Sequence, residues 1–288
     1  MFNNPLFSIL IANYNNGKYF EECYKSLIAQ TYQNFEAIIV DDCSTDKSVE
    51  IINNIIKDDS RFKLYQNEEN KGCGYTKRKC AELAAGEICG FVDPDDAITE
   101  NALEIMIQKH SENPDCSLMY SGFLFCDNQL NIRSESFNKQ VENNDQNFFN
   151  FNGSISHFAA FKNNFYKQTN GIDPYLQRAV DQDLYLKLYE KGKVLYINEH
   201  LYLYRIHENG ISTNKNIEKA FFWHWVVVIK SAERRNINIE NLFVENFIKR
   251  KTFTKIVDKE KNKIELLKKS RLLKILYKLG VFKAYKYL

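Results

Sequence analysis

Apolar and polar positions follow a regular beat along the first hundred residues. A short apolar run, Phe7 to Ala12, stops at Asn13-Tyr14-Asn15-Asn16-Gly17, which reads as a buried strand followed by a turn. Lys18 to Gln30 carries Phe20, Cys23, Tyr24, Leu27 and Ile28 at helical spacing. Phe35 to Val40 predicts a second strand, halted at Asp41-Asp42-Cys43-Ser44-Thr45-Asp46. Ser44 or Thr45 there is placed to cap a helix bearing Val49, Ile51, Ile52, Ile55 and Ile56. A strand over Phe62 to Tyr65, a helix near Thr76 to Ala85 and a strand from Ile88 to Val92 continue the series. Alternating strands and helices predict an α/β fold with a mostly parallel central sheet flanked by helices, in which ligands bind beyond the carboxyl ends of the strands. Asn13 to Asn15, Asp41-Asp42 and Asp93 to Asp96 all fall at such ends.

After Ala97 the pattern predicts a helix over Glu100 to His110 and a strand over Ser117 to Phe125. Asp127 to Asn152 has little periodicity and reads as a long variable loop. A turn at Asn170-Gly171-Ile172-Asp173-Pro174 precedes an amphipathic helix, Ala179 to Lys191, and two short strands, Leu195 to Asn198 and Leu201 to Ile206. From Asn216 the chain is helical and increasingly basic, with no internal repeat. This organisation predicts an α/β domain over 1–212 and a helical basic extension over 213–288.

A composition 44% hydrophobic and 26% charged excludes a disordered chain. No apolar run approaches the ~20 residues of a membrane-spanning helix, and the start, MFNNPLFSIL, lacks the basic region and apolar core of a secretion signal. Seven scattered cysteines without a Cys-x-x-Cys pair fit reduced thiols in the cytoplasm better than disulfides or a zinc site. Charge changes the picture more. Lys249 to Leu288 holds 14 basic residues against three acids, an excess of +11, so the rest of the chain carries −9. An acidic body and a basic tail meet different partners.

One stretch, GFVDPDDAI (Gly90 to Ile98), puts three carboxylates within four residues. Asp93, Asp95 and Asp96 either form a polar turn that caps the following helix or surround a hard cation that takes oxygen ligands. In order and spacing, FSILIANYN, Gln30-Thr31-Tyr32, FEAIIVDDCSTD, Asn70-Lys71-Gly72, Gly86-Glu87 and DPDD resemble family 2 glycosyltransferases. Asn170-Gly171-Ile172-Asp173, Val180 to Lys187 and Tyr204-Arg205-Ile206-His207 extend the resemblance, which covers roughly residues 5 to 212. It implies a GT-A fold, with a catalytic domain over 1–212 whose nucleotide-sugar half is about 1–97 and acceptor half about 98–212, a nucleotide-sugar donor, a divalent cation (Mn²⁺ or Mg²⁺) and inversion at the anomeric carbon. A donor sugar leaves behind a nucleoside diphosphate, and a metal bridging its phosphates stabilises the charge that builds there.

The resemblance assigns roles to particular residues. Asp95, second acid of the Asp-x-Asp pattern, falls on the metal, and His207 on the metal or diphosphate, with Arg205 on the diphosphate or bracing the loop. Asp93 reaches ribose or metal-bound water, and Asp96 holds the loop. Asp42 accepts the uracil N3–H of a UDP-linked donor, Tyr14 stacks on the base, and Ala12 contributes backbone only. Asn70 and Lys77 complete the donor contacts. Asp181 is the general base that inverting transfer requires, whereas Asp183 caps or pairs with Lys187. The sequence departs from the family at Ala12 (usually Pro), Asn13 (Thr), Lys77 (Arg, for which Arg78 can substitute) and Val180 (Glu).

In the tail, Lys268, Arg271, Lys274 and Lys278 share one helical side and Leu266, Leu273, Leu276 and Tyr277 the other. This predicts an interfacial helix on an anionic membrane surface, with packing on the acidic body or a homodimer contact as alternatives and no nucleic-acid partner. The expected protein is an inverting glycosyltransferase acting at the cytoplasmic face of the cell membrane on a glycan or lipid-linked saccharide of cell-surface polysaccharide. The competing expectation is a catalytically inactive nucleotide-sugar-binding or scaffold protein, anchored by its tail. A nucleotidyltransferase would need a Gly-rich phosphate loop that the sequence lacks.

Overall fold

The structure, a computed structural model, describes residues 4–207, 216–281 and 283–287. Nine strands form one sheet: β1 (Phe7–Asn13), β2 (Phe35–Asp41), β3 (Phe62–Gln66), β4 (Ile88–Phe91), β5 (Ala97–Ile98), β6 (Cys116–Cys126), β7 (Ile132–Glu135), β8 (Ala159–Lys162) and β9 (Lys193–Arg205). The order is β3-β2-β1-β4-β8-β6-β9-β5, with β7 beside β6. The pairs β3-β2, β2-β1 and β1-β4 are parallel, as the alternating pattern requires. From β8 onward the sheet is mixed: β8 runs antiparallel to β4 and β6, while β6 and β9 are parallel.

Helices α1 (Phe20–Ile28), α2 (Ser48–Ile56), α3 (Cys73–Leu83), α4 (Ala102–Glu112), α5 (Asn163–Tyr166), α6 (Val180–Tyr189) and α7 (Ile217–Arg235) belong with this sheet. Alternate residues of each parallel strand feed the two layers of the core. Phe7, Ile9 and Ile11 of β1 join Phe20, Leu27, Ile52 and Met106 from α1, α2 and α4. Leu10, with Ile38 and Val40 of β2, joins Cys80, Leu184 and Leu188 from α3 and α6. Each such side chain contributes about 1.5–3 kcal/mol when fully buried. A sheet covered on both faces explains why its central strands read as unbroken apolar runs.

Several expectations change in detail. The polar group after β2 does not cap α2 through Ser44 or Thr45. The Ser44 hydroxyl instead bonds Asp41, and the Ser48 N–H donates to Asp46 Oδ1 at 2.8 Å. Helix α3 starts at Cys73 because Gly72, with φ +88°, turns the chain into it. Residues 127–152 form the expected loop with one hairpin strand, β7. Strand β8 has no counterpart in the sequence reading, and β9 is one strand where two were expected.

The chain divides into two compact units, Met1–Arg235 and Asn236–Leu288. The expected boundary at 212/213 lies in residues 208–215, outside the described ones. Helix α7, expected in the extension, falls within the first unit, and its Trp225, Val227 and Val228 are buried. The second unit consists of α8 (Glu240–Phe243), a π-helical turn (Val244–Ile248), α9 (Lys249–Lys269), α10 (Arg271–Lys278) and a short 3-10 turn (Lys283–Tyr287). Ser270 caps α10 by accepting the Leu273 N–H, and the Tyr285 hydroxyl donates to the Lys268 carbonyl at 2.7 Å.

Candidate active site

The loops at the carboxyl ends of β1, β2 and β4 open into one cleft of about 400 Å³. Two turns form one of its walls and brace each other. Asn15, left-handed at φ +54°, accepts the Thr45 N–H at 2.9 Å, while its own N–H donates to Ser44 Oγ. Asp41 is fully buried and accepts from the Asn13 amide at 2.7 Å and the Ser44 N–H at 2.8 Å, so its carboxylate serves these turns. Asp42 lines the cleft. Its Oδ1 accepts the Asn67 amide at 2.8 Å and the Lys71 N–H at 2.9 Å, and its Oδ2 the Gly72 N–H at 2.8 Å. Three of a carboxylate's roughly four acceptor directions are thereby used, leaving one for a ligand. Ala12, Asn70 and Tyr14, whose side chain is 46% exposed, complete this wall.

The DPDD loop follows β4, and the end of β9 holds it. The Asp96 N–H donates to the Asp93 carbonyl, closing the turn. Asp96 is buried and accepts the Tyr202 hydroxyl and the Arg205 N–H, each at 2.7 Å. Burial, then the charges of Asp95 and Asp93, push its carboxyl well above the usual carboxylate range. Arg205 donates from Nε to the Asp95 carbonyl and from Nη1 to the Asn128 carbonyl, and it lies 4.8 Å from the Tyr19 ring centroid. Its guanidinium thus braces the loop. Asp95 points elsewhere: its Oδ2 stands 2.7 Å from Nε2 of His207, whose ring packs against Tyr19. This carboxylate–imidazole pair opens on the cleft. Among the described residues no group of three or more His, Cys, Asp or Glu side chains converges on a metal position. The Asp95 carboxylate fits an ion that keeps its other positions for phosphate oxygens and water, the habit of Mg²⁺ and a fit for Mn²⁺ as well, and His207 offers one ring nitrogen beside it.

Helix α6 forms the far wall. Ala179, left-handed at φ +56°, turns the chain into it, so that Val180 faces the core and Asp181 the cleft. Lys77, on α3 and only 4% exposed, reaches between the walls: its Nζ is 2.8 Å from Asp181 Oδ1 and 3.2 Å from Asp93 Oδ1. Burial raises the Asp181 carboxyl, but the Lys77 ammonium, with His157, outweighs it and holds the group below the usual carboxylate range. Arg78 does not enter the cleft, because it bonds Glu82 and the carbonyls of Asn170 and Ile172. Lys79 donates to Asn67. Asp183 is buried, accepting the Asp173 N–H and the Lys187 ammonium.

All nine residues singled out as catalytic, donor-binding or metal-binding line this one cleft: Ala12, Tyr14, Asp42, Asn70, Lys77, Asp93, Asp95, Asp181 and His207. The sequence reading gave no role to Gln177, Arg178 or Tyr204, which line it too, as does His157. The His157 ring stacks on Tyr202 at 4.9 Å and 17°. No periodicity marks these positions, since they sit in turns or face inward from a strand.

A parallel half ending in acidic loops, joined to a mixed half that carries an aspartate across the cleft, defines a GT-A glycosyltransferase. The chain belongs to glycosyl transferase family 2, whose model matches residues 8–169. It is 30% identical over 227 residues to the glycosyltransferase GlyG of Streptococcus pneumoniae, covering 72% of this chain and 73% of that one. It is also 30% identical over 260 residues to TuaG of Bacillus subtilis, named for teichuronic acid biosynthesis, covering 81% and 98%. By contrast the chain spans a third or less of the chondroitin and hyaluronan synthases that it also matches. Among solved structures it resembles Staphylococcus aureus TarS in complex with UDP-GlcNAc, with a TM-score of 0.63 and 22% identity, covering 77% of this chain and 65% of that one.

Proposed function

We propose that this glycosyltransferase is inverting and metal-dependent, and that it moves a sugar from a UDP-sugar to a hydroxyl of a glycan or lipid-linked saccharide in cell-surface polysaccharide synthesis. The observation that carries this reading is the convergence of Asp42, the Asp95–His207 pair and Asp181 on one cleft. Asp42 has an acceptor direction left for the N3–H of uracil, which cytosine lacks, and Tyr14 offers a ring for the base. Asp95 and His207 would hold the cation, which when bound stabilises the charge on the departing diphosphate. Asp93 is placed for the ribose or for water on that cation. No side chain among the described residues hydrogen-bonds Oδ2 of Asp181. That oxygen takes the acceptor hydroxyl's proton as the new C–O bond forms at the anomeric carbon. The bond to the phosphate oxygen breaks with its electron pair on the nucleoside diphosphate. The TarS complex and the polymer named for TuaG support the choice of donor and product class.

We also place the protein peripherally on the inner face of the cell membrane, held through the C-terminal unit. No helix of the described residues is long and apolar enough to cross a membrane. On α10, Leu272 and Ile275, with Leu279 just past its end, are exposed beside Arg271, Lys274 and Lys278, and each basic residue near an anionic surface contributes ~1 kcal/mol.

Calorimetric titration with UDP, GDP and dTDP, with Mn²⁺ or with EDTA, tests the donor site on wild type and Asp95→Ala. UDP binding that needs the metal and is lost in Asp95→Ala is expected. Equal binding in EDTA would overturn the metal site, and no nucleotide binding at all would restore the inactive-scaffold reading. Asp181→Asn should keep UDP affinity and lose turnover.

A further inference from the structure

Lys77 is a buried cation with two partners on different functional elements. It reaches from α3 to Asp181 at the start of α6 and to Asp93 at the end of β4. Its ammonium also lies 5.0 Å from the Phe91 ring centroid. Burial alone would push a lysine toward its neutral form. Here the charges of Asp181 and Asp93 outweigh burial and raise it well above its ordinary value. A cation committed to two protein carboxylates has a different task from one directed at a donor phosphate.

We propose that Lys77 is a positioning residue: one buried ammonium fixes the base Asp181 relative to the donor-end carboxylate Asp93. This rests on the reading of Asp181 as base. Lys77 occupies Oδ1 of Asp181 and leaves Oδ2, so it selects which oxygen meets the acceptor hydroxyl. Its charge keeps the carboxylate ionised, ready to accept a proton. Because the same ammonium touches Asp93, the two walls of the cleft share one fixed point. A bidentate guanidinium would hold the two carboxylates in a different geometry.

The test uses full-length protein, UDP with Mg²⁺ as the binding probe, and hydrolysis of UDP-GlcNAc with water as acceptor as the turnover assay. Lys77→Gln should leave UDP–Mg²⁺ affinity within about twofold and lower kcat by about tenfold or more, within the range of acid–base contributions. The acid limb of its pH–rate profile should move to higher pH, because the base loses the charge that kept it ionised. Lys77→Arg should restore the acid limb while kcat stays low. If UDP–Mg²⁺ affinity falls instead and the acid limb does not move, Lys77 is a donor contact and the proposal fails. If Lys77→Gln does not fold, Lys77→Arg decides alone: lowered kcat with unchanged UDP affinity supports the proposal, and lowered affinity with unchanged kcat overturns it. Asp181→Asn, assayed in parallel, separates the two levels, since turnover retained there removes the base itself rather than its positioning.

Discussion

At the scale of residues, the three carboxylates of DPDD meet three fates. Asp96 is buried under Tyr202 and Arg205, Asp93 pairs with Lys77, and Asp95 turns to His207. Asp96→Ala should therefore destabilise the protein by about 1–3 kcal/mol, the cost of orphaning buried donors, seen as a lower urea midpoint. Asp95→Ala should leave the midpoint of the ligand-free protein nearly unchanged. The sequence marked Asp96 as the structural member but could not supply its partners, which lie more than a hundred residues away. Glu36 escaped notice because a lone acid in an apolar strand carries no motif. It is buried, and its Oε1 accepts Ser8 Oγ and the Ala85 N–H, each at 2.8 Å. Burial raises its carboxyl, but Lys63 and these donors together hold it below its ordinary value. A depressed carboxyl stabilises the fold above the ordinary carboxylate range, and that stability is lost as pH falls through the folded value. Glu36→Gln should accordingly lower the urea midpoint at pH 7, with the gap from wild type closing on acidification.

At the scale of elements, regular βα units were legible and long-range pairings were not. Strand β8 is four residues with no alternation, and it exists because β4 and β6 flank it. Strand β9 looked broken at Glu199-His200, yet its pairing with β6 jumps from Ile197 to His200, so Asn198 and Glu199 bulge out of one continuous strand. The walls of the cleft are joined in a way no pattern discloses. The Gly74 N–H donates to the Leu176 carbonyl at 2.8 Å, and a Cβ on Gly74 would stand 2.5 Å from the Asp173 carbonyl oxygen. Gly74→Ala should cost about 1–3 kcal/mol, since backbone must move. Gly72→Ala meets the Gln177 side chain and a positive φ, so weakened UDP binding is expected with a smaller loss of stability. Melting curves with and without UDP would distinguish the two variants.

At the scale of the whole molecule, the compact units give a place to cut. A chain ending at Arg235 should keep its melting transition and its metal-dependent UDP binding, and should no longer sediment with anionic vesicles. Vesicle binding equal to that of the full chain would move the membrane contact to the first unit. UDP with Mn²⁺ should raise the melting temperature of either form, by about 2.7 kcal/mol of added stability at a hundred times Kd. The sheet itself carries a further consequence. Its parallel strands and α3 deliver Ala12, Tyr14, Asp42, Lys77, Asp93 and Asp95, whereas its mixed strands and α6 deliver His157, Asp181 and His207, and within the sheet the two sets of strands adjoin at the β4–β8 pair. On the function proposed above, residues 127–152, which touch the parallel side through the Tyr19–Asn128 hydrogen bond, are the stretch a lineage could rewrite to meet a new acceptor while keeping Ala12, Asp42 and Asp95 as they are.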